Sequence, residues 1–300
     1  MHNRILILFL SLATLIWAGE PGSTGLSFLK VAVDARAAAM GEAYTAVCSD
    51  AAATYWNPAG LALAGSNSIA VMHHAWLQDI NHEFLSVQLF QGKHNVAVAV
   101  NLIQVSDIQL RGDQASETPI GSTSATNMYL GLNYATTLGG EWSVGGQLKY
   151  VYEKYYLTYA EGVALDLGVR RKNILPQLEW GLTIQNLGTM NKLRNTATSL
   201  PVIFRTGVSY FLPWEIWGGY PLTAADVYYV TSSQMHFNLG IEIPVYHKID
   251  LRAGYILGGD SYSFTTGFGI QYRKANIAYA FVPYQYDLGN SHRFSLLFNF

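Results

Sequence analysis

The residues with nucleophilic, acid–base or metal-ligating side chains are few and badly spaced for catalysis. Eight histidines fall at positions 2, 73, 74, 82, 94, 236, 247 and 292, and Cys48 is the only cysteine. His73 and His74 are adjacent, and on a strand adjacent side chains point to opposite faces, so they do not share one metal without a bulge. The chain contains no HExxH, no GxSxG and no cysteine–histidine spacing of a zinc site. A single cysteine also excludes an intramolecular disulfide framework, and Cys48 reads as a small buried hydrophobe. No catalytic, cofactor-binding or metal site is expected, and the chain is not expected to be an enzyme. The remaining reactive groups are ionisable side chains set among alternating apolar residues: Lys149, Asp166, Arg170, Glu179, Arg205, His236, Glu242, Asp250 and Arg252. If their alternate positions share one enclosed face, their chemistry is mutual pairing or a polar path.

That face has to be built by strands. In Val163 to Arg170, Val163, Leu165, Leu167 and Val169 alternate with Ala164, Asp166, Gly168 and Arg170. The same period of two runs through Leu178 to Gln185 and Met235 to Glu242. In the next such stretch Tyr262, Phe264, Phe268, Ile270 and Tyr272 share the oily side. Strands are expected to begin near Ser68, His82, Lys93, Ser124, Trp142, Ala160, Gln177, Pro201, Gly219, Gln234, Tyr246, Ser261, Lys274 and His292, about fourteen in all. Charged residues make up only 13% of the chain, about half the usual share, while 20 Tyr, 13 Phe and 7 Trp form a heavy aromatic load. A net charge of −2 provides no basic stripe for nucleic acid. Apolarity spread thinly over alternating strands is the pattern of a closed antiparallel transmembrane β-barrel, whose oily face meets outer-membrane lipid.

Three features separate a barrel from a soluble sandwich. The chain ends on Phe294, Leu296, Phe298 and Phe300, all on one face. This ending resembles the C-terminal strand by which bacterial outer-membrane proteins are recognised by the barrel assembly machinery. Aromatics cluster at Tyr150 to Tyr159, Tyr210 to Trp217 and Tyr279 to Tyr286, as in the girdles of the two membrane interfaces. The strand count, about fourteen, is even, as bacterial barrels require. Connection lengths then check the topology. Gln91-Gly92, Leu138 to Gly140 and Tyr272-Arg273 are short, whereas Ser106 to Thr123, Gly188 to Leu200 and Pro283 to Ser291 are long, which predicts short periplasmic turns and longer outer loops.

The first part of the chain is different. Residues 1–18 carry Arg4, an apolar run from Ile5 to Ile16 and then Ala18-Gly19, the build of a cleaved secretory signal peptide. Residues 19–66 are Ala-rich and do not alternate. Asp34 is placed to cap a helix over Ala35 to Met40 with Gly41 as its left-handed terminator. Asp50 is placed to cap a second, ended by Asn57 before Pro58. Two short helices in a row predict a compact plug ahead of a barrel over 67–300. This segment, with Ser27, Phe28, Leu29, Ala35, Arg36, Met40, Gly41, Asp50 and the block Trp56-Asn57-Pro58-Ala59-Gly60, resembles the PorV/PorQ family, relatives of the FadL-type outer-membrane barrels. The resemblance implies that these residues are structural signature positions of a hatch. It also implies one of two roles: PorV-like work with type IX secretion components and secreted proteins bound for the cell surface, or FadL-like passage of hydrophobic small molecules. The first is the leading expectation, the second the alternative, and a barrel enzyme a distant third.

Overall fold

The computed structural model describes residues 24–77, 80–114, 117–231, 235–259 and 261–300; the expected signal peptide lies outside the described residues. Fourteen strands follow one another: β1 Ser68–Ala75, β2 Asn81–Gln91, β3 His94–Leu110, β4 Gly121–Thr137, β5 Trp142–Tyr155, β6 Thr158–Leu175 and β7 Leu178–Met190, then β8 Ile203–Phe211, β9 Leu222–Val230, β10 His236–Val245, β11 Ile249–Leu257, β12 Phe264–Tyr272, β13 Ala275–Pro283 and β14 Asn290–Asn299. Each pairs antiparallel with its sequence neighbours, and β14 returns to β1 to close the barrel, from Ser68 opposite Asn299 to Ala75 opposite His292. Closure leaves no open edge, which is the condition for a sheet to sit in lipid.

The alternation of side chains produces two surfaces. Val163, Leu165 and Leu167 are exposed on the outer wall while Ala164, Asp166, Gly168 and Arg170 are buried inside. Tyr262 departs from the sequence expectation: it lies before β12 in the connection 258–263, and its hydroxyl turns inward to donate to Glu42. The connection between β3 and β4 is also shorter than expected, because strand pairing resumes past a bulge. β3 and β4 lose register between Val105 and Ile108, where Asp107 takes a positive φ of 56°, and then pair again to Leu110 opposite Gly121.

The two ends of the barrel differ. The mouth carries connections 76–80, 111–120, 156–157, 191–202, 231–235, 258–263 and 284–289; the opposite end carries both 66–68 and the C-terminus, with connections 92–93, 138–141, 176–177, 212–221, 246–248 and 273–274. Two connections break the simple sorting. At the mouth, β5 and β6 extend into a hairpin closed by residues 156–157 alone. At the other end, the aromatic segment 212–221 is long but folded on itself, with an Ile216–Gly219 bridge and Leu212 N–H donating to Pro221 O. Strands β3 to β6 outrun β8 to β14, so one side of the wall stands taller at the mouth.

Inside lies the segment before β1. Ser27–Lys30 forms a 3-10 turn, Ala35–Ala39 helix α1, Ala53–Trp56 helix α2 and Pro58–Leu63 a second 3-10 helix. As expected, Asp34 accepts from the Arg36 backbone N–H at 3.2 Å at the head of α1, and Gly41 follows it at φ 62°. Asp50 instead caps the turn leading into α2, accepting from Ala52 N–H at 2.8 Å. Asn57 ends α2 in an extended conformation and caps the next helix, accepting from Ala59 N–H at 3.1 Å, because Pro58 forces its predecessor out of the helical region.

Candidate functional site

The working region of this molecule is the contact between the inner segment and the wall. Along the inner segment Ala, Gly and short polar residues leave much of the backbone uncovered by side chains. Its N–H and C=O groups therefore need partners, and in an enclosed lumen those partners come from the wall. Asp226 on β9 accepts from the backbone N–H groups of Tyr44 at 3.0 Å and Thr45 at 2.8 Å. Thr265 on β12 accepts from Gly41 N–H at 3.0 Å and donates to Ala39 O at 3.1 Å. Ser295 on β14 accepts from Ala35 N–H at 2.7 Å, and Arg293 on the same strand donates to Ala32 O at 3.2 Å. Gln88 on β2 donates to Leu61 O at 2.9 Å, and Gln185 on β7 donates to Tyr55 O.

The signature residues expected from the sequence sit at these contacts. Arg36 reaches Glu242 on β10 with both prongs, Nε and Nη2 each at 2.7 Å. Met40 and Gly41 lie against Gly240 and Gly254, where a wall Cβ would collide with their backbone. Asn57 is fully buried and donates to Thr45 O at 3.2 Å and Val169 O at 3.3 Å, tying inner segment to wall. Pro58 and Ala59 fill the space beside Gly145 and Gly168. Trp56 is fully buried, donates its indole N–H to Val33 O at 3.2 Å and meets Tyr44 and Tyr55 edge-on. Phe28 packs on Tyr129 of β4.

The inward ionisable residues are placed as follows. Lys149 pairs with Asp166 at 2.6 Å, and Arg170 pairs with Glu179 at 2.5 Å while donating to the carbonyls of Ala46 and Cys48. Arg252 bonds both Glu242 at 2.6 Å and Asp250 at 3.0 Å, so Glu242 lies between two guanidinium groups. Arg205 joins none of these pairs; its guanidinium lies over the rings of Trp56 and Tyr228, 4.8 Å and 4.1 Å from their centroids. Burial pushes the Cys48 thiol up to about 12, so the thiol is neutral and no activated nucleophile. Burial, with Asp34 nearby, pushes the half-buried Asp50 carboxyl up to about 6. No group of three or more His, Cys, Asp or Glu suited to a metal occurs among the described residues.

Sequence reasoning missed Asp226, Thr265, Gln88, Gln185 and Arg293. Asp226 shares its inward row with Leu222, Ala224, Tyr228 and Val230, while the outward row contains Thr223 and Ala225. The two faces of β9 are equally apolar, so alternation carries no side information there. Counting register from the neighbouring strands is the signal that finds it: Asp226 faces Gly207 and Asn238.

Cavities between inner segment and wall are modest. One of about 170 Å3 toward the end opposite the mouth is bordered by Arg36, Ser49, Arg170, Lys172 and Glu179. A second, of about 40 Å3, touches Asp34, Arg36 and Asp50 but is lined mainly by apolar residues, among them Met72, Phe84 and Leu296. A third, of about 260 Å3, opens at the mouth.

Residues 21–167 match the model of the family described as Type IX secretion system protein PorV. No curated protein matches. Among solved structures, the Ralstonia pickettii toluene transporter TbuX superposes with a TM-score of 0.62 at 12% identity, covering 89% of this chain and 98% of that one. The Pseudomonas putida toluene transporter TodX gives 0.61 at 11%, covering 88% and 96%. A Pseudomonas aeruginosa FadL homologue gives 0.59 at 9%, covering 89% and 98%. At such identity the likeness is one of fold. None of these descriptions is enzymatic. With the family match spanning the inner segment and the first strands, and the fold shared with these solved barrels, the chain is an outer-membrane β-barrel that is PorV-like over residues 21–167 and FadL-like in fold.

Proposed function

We propose that this barrel serves type IX secretion at the cell surface, holding exported proteins at its mouth on their way to surface attachment, and that it is not a conduit. In this reading residues 1–18 are a signal peptide removed on export, 19–66 are the plug and 67–300 the barrel, whose mouth faces outward. The observation that carries it is how the lumen is closed. Backbone groups of the plug are bonded one by one to side chains on β2, β6, β7, β9, β12 and β14. A passage for a hydrophobic solute calls for a mostly apolar pocket of several hundred Å3. The space toward the base is instead small and edged by Arg36, Ser49, Arg170, Lys172 and Glu179, and the apolar-lined one beside β1 and β14 has room for only about 40 Å3. A sealed barrel works through its rims, and the family match points to secreted proteins and secretion components as partners.

The signature residues Phe28, Arg36, Met40, Gly41, Asp50, Trp56 and Asn57 to Gly60 then have the role of seating the plug. The lumen set Lys149, Asp166, Arg170, Glu179, Arg205, Glu242, Asp250 and Arg252 has the role of bracing it. Two deletions test the proposal. Shortening 111–120 or 191–197 is expected to release exported proteins into the medium with toluene and fatty-acid uptake unchanged. Removing plug residues 25–60, where the barrel still assembles, is expected to create leakage to solutes of every kind. Normal cargo attachment after loop shortening, together with a selective rise in hydrophobic-solute uptake on plug deletion, overturns it in favour of a channel.

A further inference from the structure

The cavity of about 260 Å3 at the mouth differs in make-up from the other two. On the plug side it is lined by Lys30, at the end of the first 3-10 turn, and by Glu42, which sits just after Gly41 in a left-handed conformation at φ 62°. On the wall side it is lined by Tyr228, His236, Asn238 and Tyr262. Glu42 is 7% exposed and accepts a hydrogen bond from the Tyr262 hydroxyl at 2.6 Å, which leaves its second oxygen for another donor. Arg293, on the far side, adds positive charge near Glu42 and is itself turned toward Ala32 O. Lys30 is half-buried and forms no ion pair among the described residues. Asn238 is 2% exposed, and its buried Oδ1 has no hydrogen-bond partner among the described residues.

A buried acceptor left unpaired is costly, and such groups are normally satisfied. Here the unpaired acceptor and a carboxylate with one oxygen to spare border the same space. Together they suit an ammonium group, which brings three donors. The ammonium of Lys30, unpaired among the described residues, suits a carboxylate. Opposite charges within one small cavity, not neutralising each other, call for a ligand bearing both. We infer that the mouth cavity is a binding site for a compact zwitterion, a free α-amino acid or a dipeptide, with its ammonium on Glu42 and Asn238 and its carboxylate on Lys30. The site goes beyond the secretion reading and stands whether or not that reading holds.

Calorimetry on the purified full-length barrel in detergent, with L-alanyl-L-alanine as the probe, tests this. The free dipeptide is expected to bind, and its N-acetyl and C-terminal amide forms are each expected to bind at least about tenfold more weakly, a loss of about 1.4 kcal/mol. Lys30→Gln is expected to abolish discrimination against the amide while retaining it against the acetylated form. Glu42→Gln, which keeps the acceptor for Tyr262, is expected to do the reverse. Asn238→Leu provides a second route to the ammonium side should Glu42→Gln fail to assemble, heat-modifiable migration reporting assembly. Equal binding of free and capped dipeptides, or no binding of dipeptide and free alanine at millimolar concentration, overturns the assignment.

Discussion

At the scale of single residues, Glu242 is the most exposed to loss. Its carboxylate accepts from Arg36 of the plug and from Arg252 of the wall, and Arg252 is wholly buried. Breaking a buried pair by removing one partner costs about 3–5 kcal/mol, because the other charge remains without compensation. Glu242→Ala strands two guanidinium groups, with Asp250 left to serve one of them. Arg36→Ala removes a side chain that is 26% exposed and leaves Glu242 still paired to Arg252. Glu242→Ala is therefore expected to lower the urea midpoint clearly more than Arg36→Ala, and to open the plug to protease first; equal midpoints for the two variants contradict this. Asp50 adds a pH dependence of known sign. Its carboxyl is raised from 3.8 to about 6 in the docked plug, by burial and then by Asp34. Between those values the docked state keeps a proton that the released state gives up. Docking therefore weakens as pH rises through that window and stays level above it. Asp50→Asn, which retains an acceptor for Ala52, is expected to flatten the urea midpoint between pH 4 and pH 6 relative to wild type.

At the scale of elements, β14 both ends the chain and closes the wall. Phe294, Leu296, Phe298 and Phe300 all face outward, 42–51% exposed, and the Phe300 N–H donates to Asn67 O at 3.0 Å beside the first strand. Deleting Phe300 or replacing it with Asp is expected to reduce the heat-modifiable, folded fraction in the outer membrane; an unchanged fraction shows that the ending is incidental to assembly. A wall glycine is a different kind of test. Valine favours strands, but at Gly254 its Cβ overlaps the backbone of Met40 and Gly41. Gly254→Val is expected to leave the barrel assembled and the plug protease-sensitive. These elements also show what was legible in the sequence. Strand number, and starts within three residues, followed from the period of two wherever one face was oily and the other polar, as in β6. The signal failed in β9, whose faces are equally apolar. It failed again at Tyr262, which continues the alternation of β12 by type yet precedes the strand. The plug helices were legible through Asp34, Gly41 and Pro58. The wall residues that hold them were not, because a side chain chosen to meet a backbone carbonyl across the lumen leaves no local pattern.

At the scale of the molecule, the chain threads the barrel lengthwise before it builds it. Gly25 N–H donates to Ser199 O in the mouth connection 191–202, and Ser66 meets Asn299 at the opposite end, so the plug runs from mouth to base and β1 starts beside the C-terminus. The tall wall of β3 to β6 then stands over the mouth on one side, ending in the hairpin of residues 156–157 and the connection 111–120. Orientation in the membrane is fixed by which end carries the longer connections, short turns lying in the periplasm. Loop length alone misleads here, because 212–221 is long and belongs to the base. Strand parity is the stronger guide, since every strand in a closed antiparallel barrel reverses direction. An epitope inserted between Gly112 and Asp113 is therefore expected to be labelled on intact cells. Insertions at Gly139-Gly140 and at Gly218-Gly219 are expected to be labelled only after the outer membrane is permeabilised, even though the second sits in a loop as long as many outer ones. Labelling of the Gly218-Gly219 insertion on intact cells, with Gly112-Asp113 silent, reverses the barrel in the membrane and moves the mouth cavity to the periplasm.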